Sequence, residues 1–182
     1  MIDLEGACAR LADLVSEVSV ADLDRPTPCA DFTVADLLDH LDEVARGFTA
    51  LAGGGAGGVG GAGGQGRAGL PRRLEALGRA WASPSAWRGA TEAGGVELAN
   101  EVWGRIALTE VVVHGWDLAR AAGRGFDPPE AAVRACLEHV ADFVPSAPVP
   151  ELWGRPVAVA EDAPLLERAV AITGRDPGWR AP

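Results

Sequence analysis

Apolar residues recur every three or four positions along nearly every long segment of this chain, the spacing of a helix face turned toward a core. The first run, Leu4 to Val18, places Ala7, Leu11, Leu14, Val15 and Val18 on one side. A connector from Val20 to Asp31 follows, carrying Pro26 and Pro28. Thr33 then stands where a helix cap belongs, with Asp36 three residues on as a weak form of the capping box. The helix it opens has the stripe Leu37, Leu41, Val44 and Phe48, and His40 lies beside Leu37 and Val44 on that side. A third helix is predicted over Leu70 to Trp81, stopped by Pro84. The fourth and longest runs from Val96 to Ala122 and ends at Gly123, and a fifth starts at Pro128-Pro129 and reaches about Val144. Beyond Pro145 the chain turns irregular, with an extended piece at Val157-Ala158-Val159 and a last helix from Pro164 to Thr173.

Residues 53–66 interrupt this pattern with ten glycines in fourteen positions. A phosphate-cradling loop would need a preceding strand and a Gly-Lys-Ser/Thr end, and neither is there. The segment therefore reads as a flexible crossover. Long helices joined by one such crossover predict an all-α fold, a four-helix bundle over residues 1–145 with a short C-terminal extension, 146–182, packed on it.

At 182 residues and 48% apolar composition, the chain is sized for one domain with a real core. Its net charge is −10, and all sixteen basic residues are arginines scattered without a cluster. That balance excludes a nucleic-acid surface and an anionic membrane surface. Asp3 and Glu5 occupy the place of a signal peptide's positive charge, and Asp13 and Glu17 break its apolar stretch. Three widely spaced cysteines, Cys8, Cys29 and Cys136, point to reduced thiols and a cytoplasmic protein.

Chemistry concentrates at Glu110 and His114. Four residues along a helix rise about 6 Å and turn about 40° past a full revolution, so both side chains point the same way. Glu110 lies amid Ile106, Val111, Val112 and Val113, where a carboxylate has to be paired, protonated or ligating. Arg105 misses the spacing that would make it an automatic partner. With His40 from the second helix, the three form a ligand set for a divalent metal: zinc foremost, with nickel, manganese or iron as alternatives. Other candidates keep two readings. Asp117 can orient the His114 ring or be a solvated helix charge. Cys29, near a positive helix end, can be a reactive thiol or a small buried hydrophobe. Cys136 and His139 share a face and can be a ligand pair or packing. Trp103 and Trp116 can wall a pocket or fill the core.

The segment Thr27-Pro28-Cys29-Ala30-Asp31-Phe32-Thr33-Val34-Ala35-Asp36-Leu37-Leu38-Asp39-His40-Leu41 resembles the first signature of the mycothiol-dependent maleylpyruvate isomerase-like proteins of the DinB-like metal-binding superfamily. Glu110-Val111-Val112-Val113-His114-Gly115-Trp116-Asp117-Leu118-Ala119-Arg120 resembles their second signature. The close, from Leu165 to Trp179 with Thr173-Gly174-Arg175-Asp176-Pro177, is similar to that of a shorter actinobacterial subgroup of metal-binding proteins. The resemblance implies a DinB-like four-helix bundle, with a metal, often zinc, on His40, Glu110 and His114. It also implies a low-molecular-weight thiol, mycothiol in actinobacteria, as co-reactant. Phe32 stands where many relatives carry Trp. The isomerase has a further C-terminal domain where this chain stops soon after Trp179, so maleylpyruvate is not the expected substrate. The leading expectation is a metal- and thiol-dependent transferase or isomerase acting on a small electrophile, as monomer or homodimer. The alternatives are a metal-dependent hydrolase using metal-bound water, a non-catalytic metal- or ligand-binding module, and a bundle with ordinary core histidines.

Overall fold

The structure, a computed structural model, describes residues 1–30, 32–55, 67–147 and 153–181. Most of the predicted glycine-rich crossover, 56–66, lies outside the described residues, as do 148–152 at the start of the C-terminal extension.

Helix α1 (Glu5–Glu17) buries Ala7, Leu11, Leu14 and Val15, the face its spacing predicted. A single 3₁₀ turn, Val20–Asp22, leads into the connector. In α2 (Val34–Ala52) the capping box forms as read: the Thr33 hydroxyl accepts from the Asp36 N–H, and Asp36 accepts the Thr33 N–H at 2.9 Å. The α2 stripe of Leu37, Leu41, Val44 and Phe48 is buried. Helix α3 (Leu70–Trp81) has Pro71 in its first turn, where a missing N–H costs nothing. Its last residue, Trp81, is buried and donates its indole N–H to the Phe48 carbonyl at 3.0 Å, tying α3 to α2. Asp42 of α2 pairs with Arg73 of α3 and with Arg46 on its own helix.

The fourth helix starts later than its apolar spacing predicts. Val96–Ala99 is strand β2, paired antiparallel with β1 (Ala90–Ala93), and α4 covers Asn100–Ala122. Gly94 and Gly95, with φ of +60° and +81°, form the two-residue turn between them. Both sit in the left-handed region, as a tight hairpin that matches strand twist requires. Thr91, Ala93, Val96 and Leu98 face inward while Glu92 and Glu97 face solvent. The described residues are thus mainly helical with one small sheet, rather than purely α.

Helix α1 packs against α3 and α4, and α2 packs against the same two. Helix α5 (Glu130–Phe143) lies on α4, and α6 (Leu165–Ile172) packs on α5 and α4. The extended piece at Val157 joins no strand among the described residues; its N–H donates to the Ala171 carbonyl at 2.9 Å, at the end of α6. Gly174, at φ +89°, then reverses the chain. The Arg175 N–H reaches back to the Val170 carbonyl, and Arg120 on α4 donates to the Pro177 carbonyl at 3.0 Å. No helix among the described residues is long and apolar enough to cross a membrane.

Candidate functional site

Helix α4 is buried on almost every side along its second half, because α1, α2, α5 and α6 all pack on it. A helix enclosed in this way needs apolar residues all round, which is why Val111, Val112 and Val113 can be consecutive. Glu110 and His114 open from it onto a cavity of about 380 Å³, into which α2 also turns His40.

The three side chains meet at one atom. Glu110 Oε2 lies 3.1 Å from His40 Nε2 and 3.1 Å from His114 Nε2. The two imidazole centroids are 4.8 Å apart with their planes at 82°, so the rings approach from different directions. Phe32 lies edge-on to His40 at 5.8 Å, closing one flank. Each of the three offers a ligand atom within 4.8 Å of the others. A second such group, Cys29, His114 and Asp117, shares His114 with the first.

Behind His114 the chain of bonds continues. Asp117, fully buried, accepts the His114 Nδ1–H at 2.9 Å. Arg175 donates to both Asp117 oxygens, from Nη2 at 3.1 Å and Nε at 3.4 Å, and from Nη1 to the Thr173 carbonyl at 3.1 Å. Asp117 is therefore the orienting carboxylate and not a solvated helix charge. Arg175 is the residue that sequence reasoning missed. It is 58 positions from Asp117, and no periodicity links the two. The one local hint is the turn that Gly174 makes directly after α6.

Electrostatics follow from burial set against these contacts. Burial works to raise the Glu110 carboxyl, but the N–H groups of His114 and His40 outweigh it and hold the group far below the usual carboxylate range. Burial likewise opposes charge on His114, yet its bonds to Asp117 and Glu110 push it up to about 9. Both contacts favour the protonated form of His114, which lies between two carboxylates.

The remaining candidates separate from this cluster. Cys29 lines the cavity, but burial pushes its thiol up to about 11 despite the nearby Arg175 guanidinium. Of the two readings of Cys29, this favours the small buried hydrophobe over the reactive thiol, because loss of hydration outweighs the helix end. Cys136 is buried with its thiol 3.8 Å from the Thr109 hydroxyl. His139 stacks on Phe143 at 4.8 Å, and neither it nor Cys136 belongs to a candidate metal group among the described residues. Arg105 pairs with Glu101 on its own helix rather than with Glu110. Trp103 lines the cavity, whereas Trp116 is buried elsewhere under the Arg120 guanidinium, 5.2 Å from its centroid.

His139 makes its own prediction. Burial, then the Arg105 charge, pushes this imidazole down to about 4, and its Nε2 has no hydrogen-bond partner among the described residues. An unfolded histidine titrates near about 6.5. Its contribution to stability is therefore complete above that pH and is lost as pH falls toward 4. His139→Leu should flatten the melting-temperature profile over that interval relative to wild type. Parallel profiles for the two proteins would mean that His139 does not titrate as a buried base.

Comparison with known proteins identifies one family. The model of the mycothiol maleylpyruvate isomerase N-terminal domain matches residues 4–68 and 64–119. That span holds His40, Glu110, His114 and Asp117, and leaves Arg175 outside. No curated protein and no solved structure matched the chain.

Proposed function

We propose that this chain, which belongs to the mycothiol maleylpyruvate isomerase N-terminal domain family, is a divalent-metal protein that activates mycothiol for attack on a small electrophile. The carrying observation is the convergence of His40, Glu110 and His114 at one end of a cavity. Bonds of about 2.0–2.2 Å in a tetrahedral set hold neighbouring donors roughly 3.3–3.6 Å apart. The 3.1 Å spacings of both imidazoles from Glu110 Oε2 are close to that. Two neutral imidazoles and a carboxylate suit zinc first, then nickel, manganese or iron. We read α1 to α4 as the DinB-like four-helix bundle, with residues 146–182 as an extension packed on a domain of residues 1–145.

Bound there, the metal supplies the Lewis acidity that lowers a thiol's pKa and stabilises its thiolate. The protein's own groups do the rest. Asp117 holds the His114 proton on Nδ1, which frees Nε2 to face the site. Arg175 offsets the buried Asp117 charge so that it does not draw on the metal position. The apolar walls keep water from competing with the thiol for the electrophile. All three cysteines are free, in keeping with a reducing cytoplasm.

Elemental analysis of protein purified without a metal-affinity tag tests this first. About one divalent metal per chain is expected, and none in His114→Ala. Metal-loaded protein should then turn over electrophiles only when mycothiol is added. Failure of reloaded wild type to bind metal would sink the reading. Metal without turnover, beside an active thiol-dependent relative run on the same panel, would leave a non-catalytic binding module.

A further inference from the structure

We infer that the cavity receives an uncharged electrophile with an aromatic or acyl body, and not a small dicarboxylate; the inference rests on the reading above and names its substrate class. The walls come from four described elements and the C-terminal segment. Phe48 of α2, Leu98 of β2, Trp103 and Ile106 of α4, Phe143 of α5 and Trp153 all face the same space. Its charged and metal-ligating groups gather at one pole, where His40, Glu110, His114 and Arg175 stand. A volume of about 380 Å³ lies within the ordinary range for a small-molecule pocket, roughly 300–1,000 Å³.

Several polar groups on the walls are already engaged. The Trp103 indole N–H donates to the Thr91 carbonyl at 2.9 Å, and the Thr109 hydroxyl to the Arg105 carbonyl at 3.0 Å. Arg175, the one arginine among the described lining residues, is held by both oxygens of Asp117. A ligand with two carboxylates would therefore have to give up its hydration against apolar side chains without a free guanidinium to meet it.

Charge at the pole leads to the same class. Two positive charges of a divalent metal and one of Arg175 stand against Glu110 and Asp117. One positive charge is left over, and a single thiolate meets it. A further anion would find no counter-charge, whereas a neutral reactant costs nothing there. Among the described residues the cavity walls are mainly apolar, and His40 at the polar pole keeps 28% exposure. The hairpin gives the chamber its apolar floor, because alternation along β2 turns Val96 and Leu98 inward together.

Fluorescence titration of metal-loaded protein with the neutral probe N-phenyl-1-naphthylamine tests this, with maleate as competitor. Saturable binding is expected, unaffected by millimolar maleate. Leu98→Asp should weaken it roughly tenfold or more, because a carboxylate in an apolar wall is costly, while Leu98→Met stays close to wild type. Displacement by maleate, absence of probe binding, or equal affinity in Leu98→Asp would each overturn the inference. The wild-type titration decides the matter even if Leu98→Asp does not fold. Metal content, measured on the same samples, separates the two readings. Metal without probe binding sinks the substrate class alone, and probe binding without metal sinks the catalytic reading while the apolar chamber stands.

Discussion

Glu110→Gln should lower affinity for a divalent metal by about two to three powers of ten while leaving the helical content unchanged. The magnitude comes from sharing the roughly 10–16 kcal/mol of a four-donor zinc site equally among its ligands, about 2.5–4 kcal/mol each. Glutamine keeps the shape and one acceptor oxygen, so the 3.1 Å contacts from His40 and His114 need not both be lost. The negative charge that offsets the metal is lost outright. Mycothiol-dependent turnover should fall with metal occupancy and return in part at high metal concentration. Competition against a chromophoric chelator measures the affinity directly. A variant that binds metal as tightly as wild type would remove Glu110 from the ligand set and favour the group built on Cys29, His114 and Asp117.

That Glu110 and His114 share a face was legible from four-residue spacing, because helical periodicity is local. The Thr33 cap was legible for the same reason: its hydrogen-bond partner, Asp36, is three residues away. The hairpin was missed although its signal was present. Val96, Ala99 and Trp103 keep helical spacing, and this masked the shorter alternation around Gly94-Gly95. Tertiary placement was legible only in part. His40 could be assigned to an apolar stripe, but its approach to Glu110 spans 70 residues and depends on α2 packing against α4. Cys29 kept two readings because proximity to a helix end is visible in sequence and burial is not. Arg175 reaches Asp117 because α6 packs on α5 and Gly174 turns the chain. No pattern along the chain carries that information.

Arg175→Ala should destabilise the metal-free protein by about 3–5 kcal/mol, the usual cost of breaking a buried ion pair from one side. Asp117 has no exposed side-chain surface, and the guanidinium that holds both of its oxygens keeps only 10%. With Arg175 gone, His114 alone would face that carboxylate, at 2.9 Å. Asp117→Asn removes the charge instead, so the double variant should recover most of the loss, as coupled partners do. Urea unfolding of the four proteins closes the cycle. Metal affinity supplies a second readout, because a misoriented ligand typically costs about 10–100-fold. If Arg175 merely anchors the C-terminal segment, the double variant will be as unstable as Arg175→Ala, and Arg175→Ala will bind metal normally. If it acts through Asp117, stability returns in the double variant. Metal affinity then stays reduced, since asparagine can no longer present a charged acceptor to the His114 Nδ1–H. The C-terminal segment would then be a working part of the site, set in place by the packing of α6 on α5 and α4.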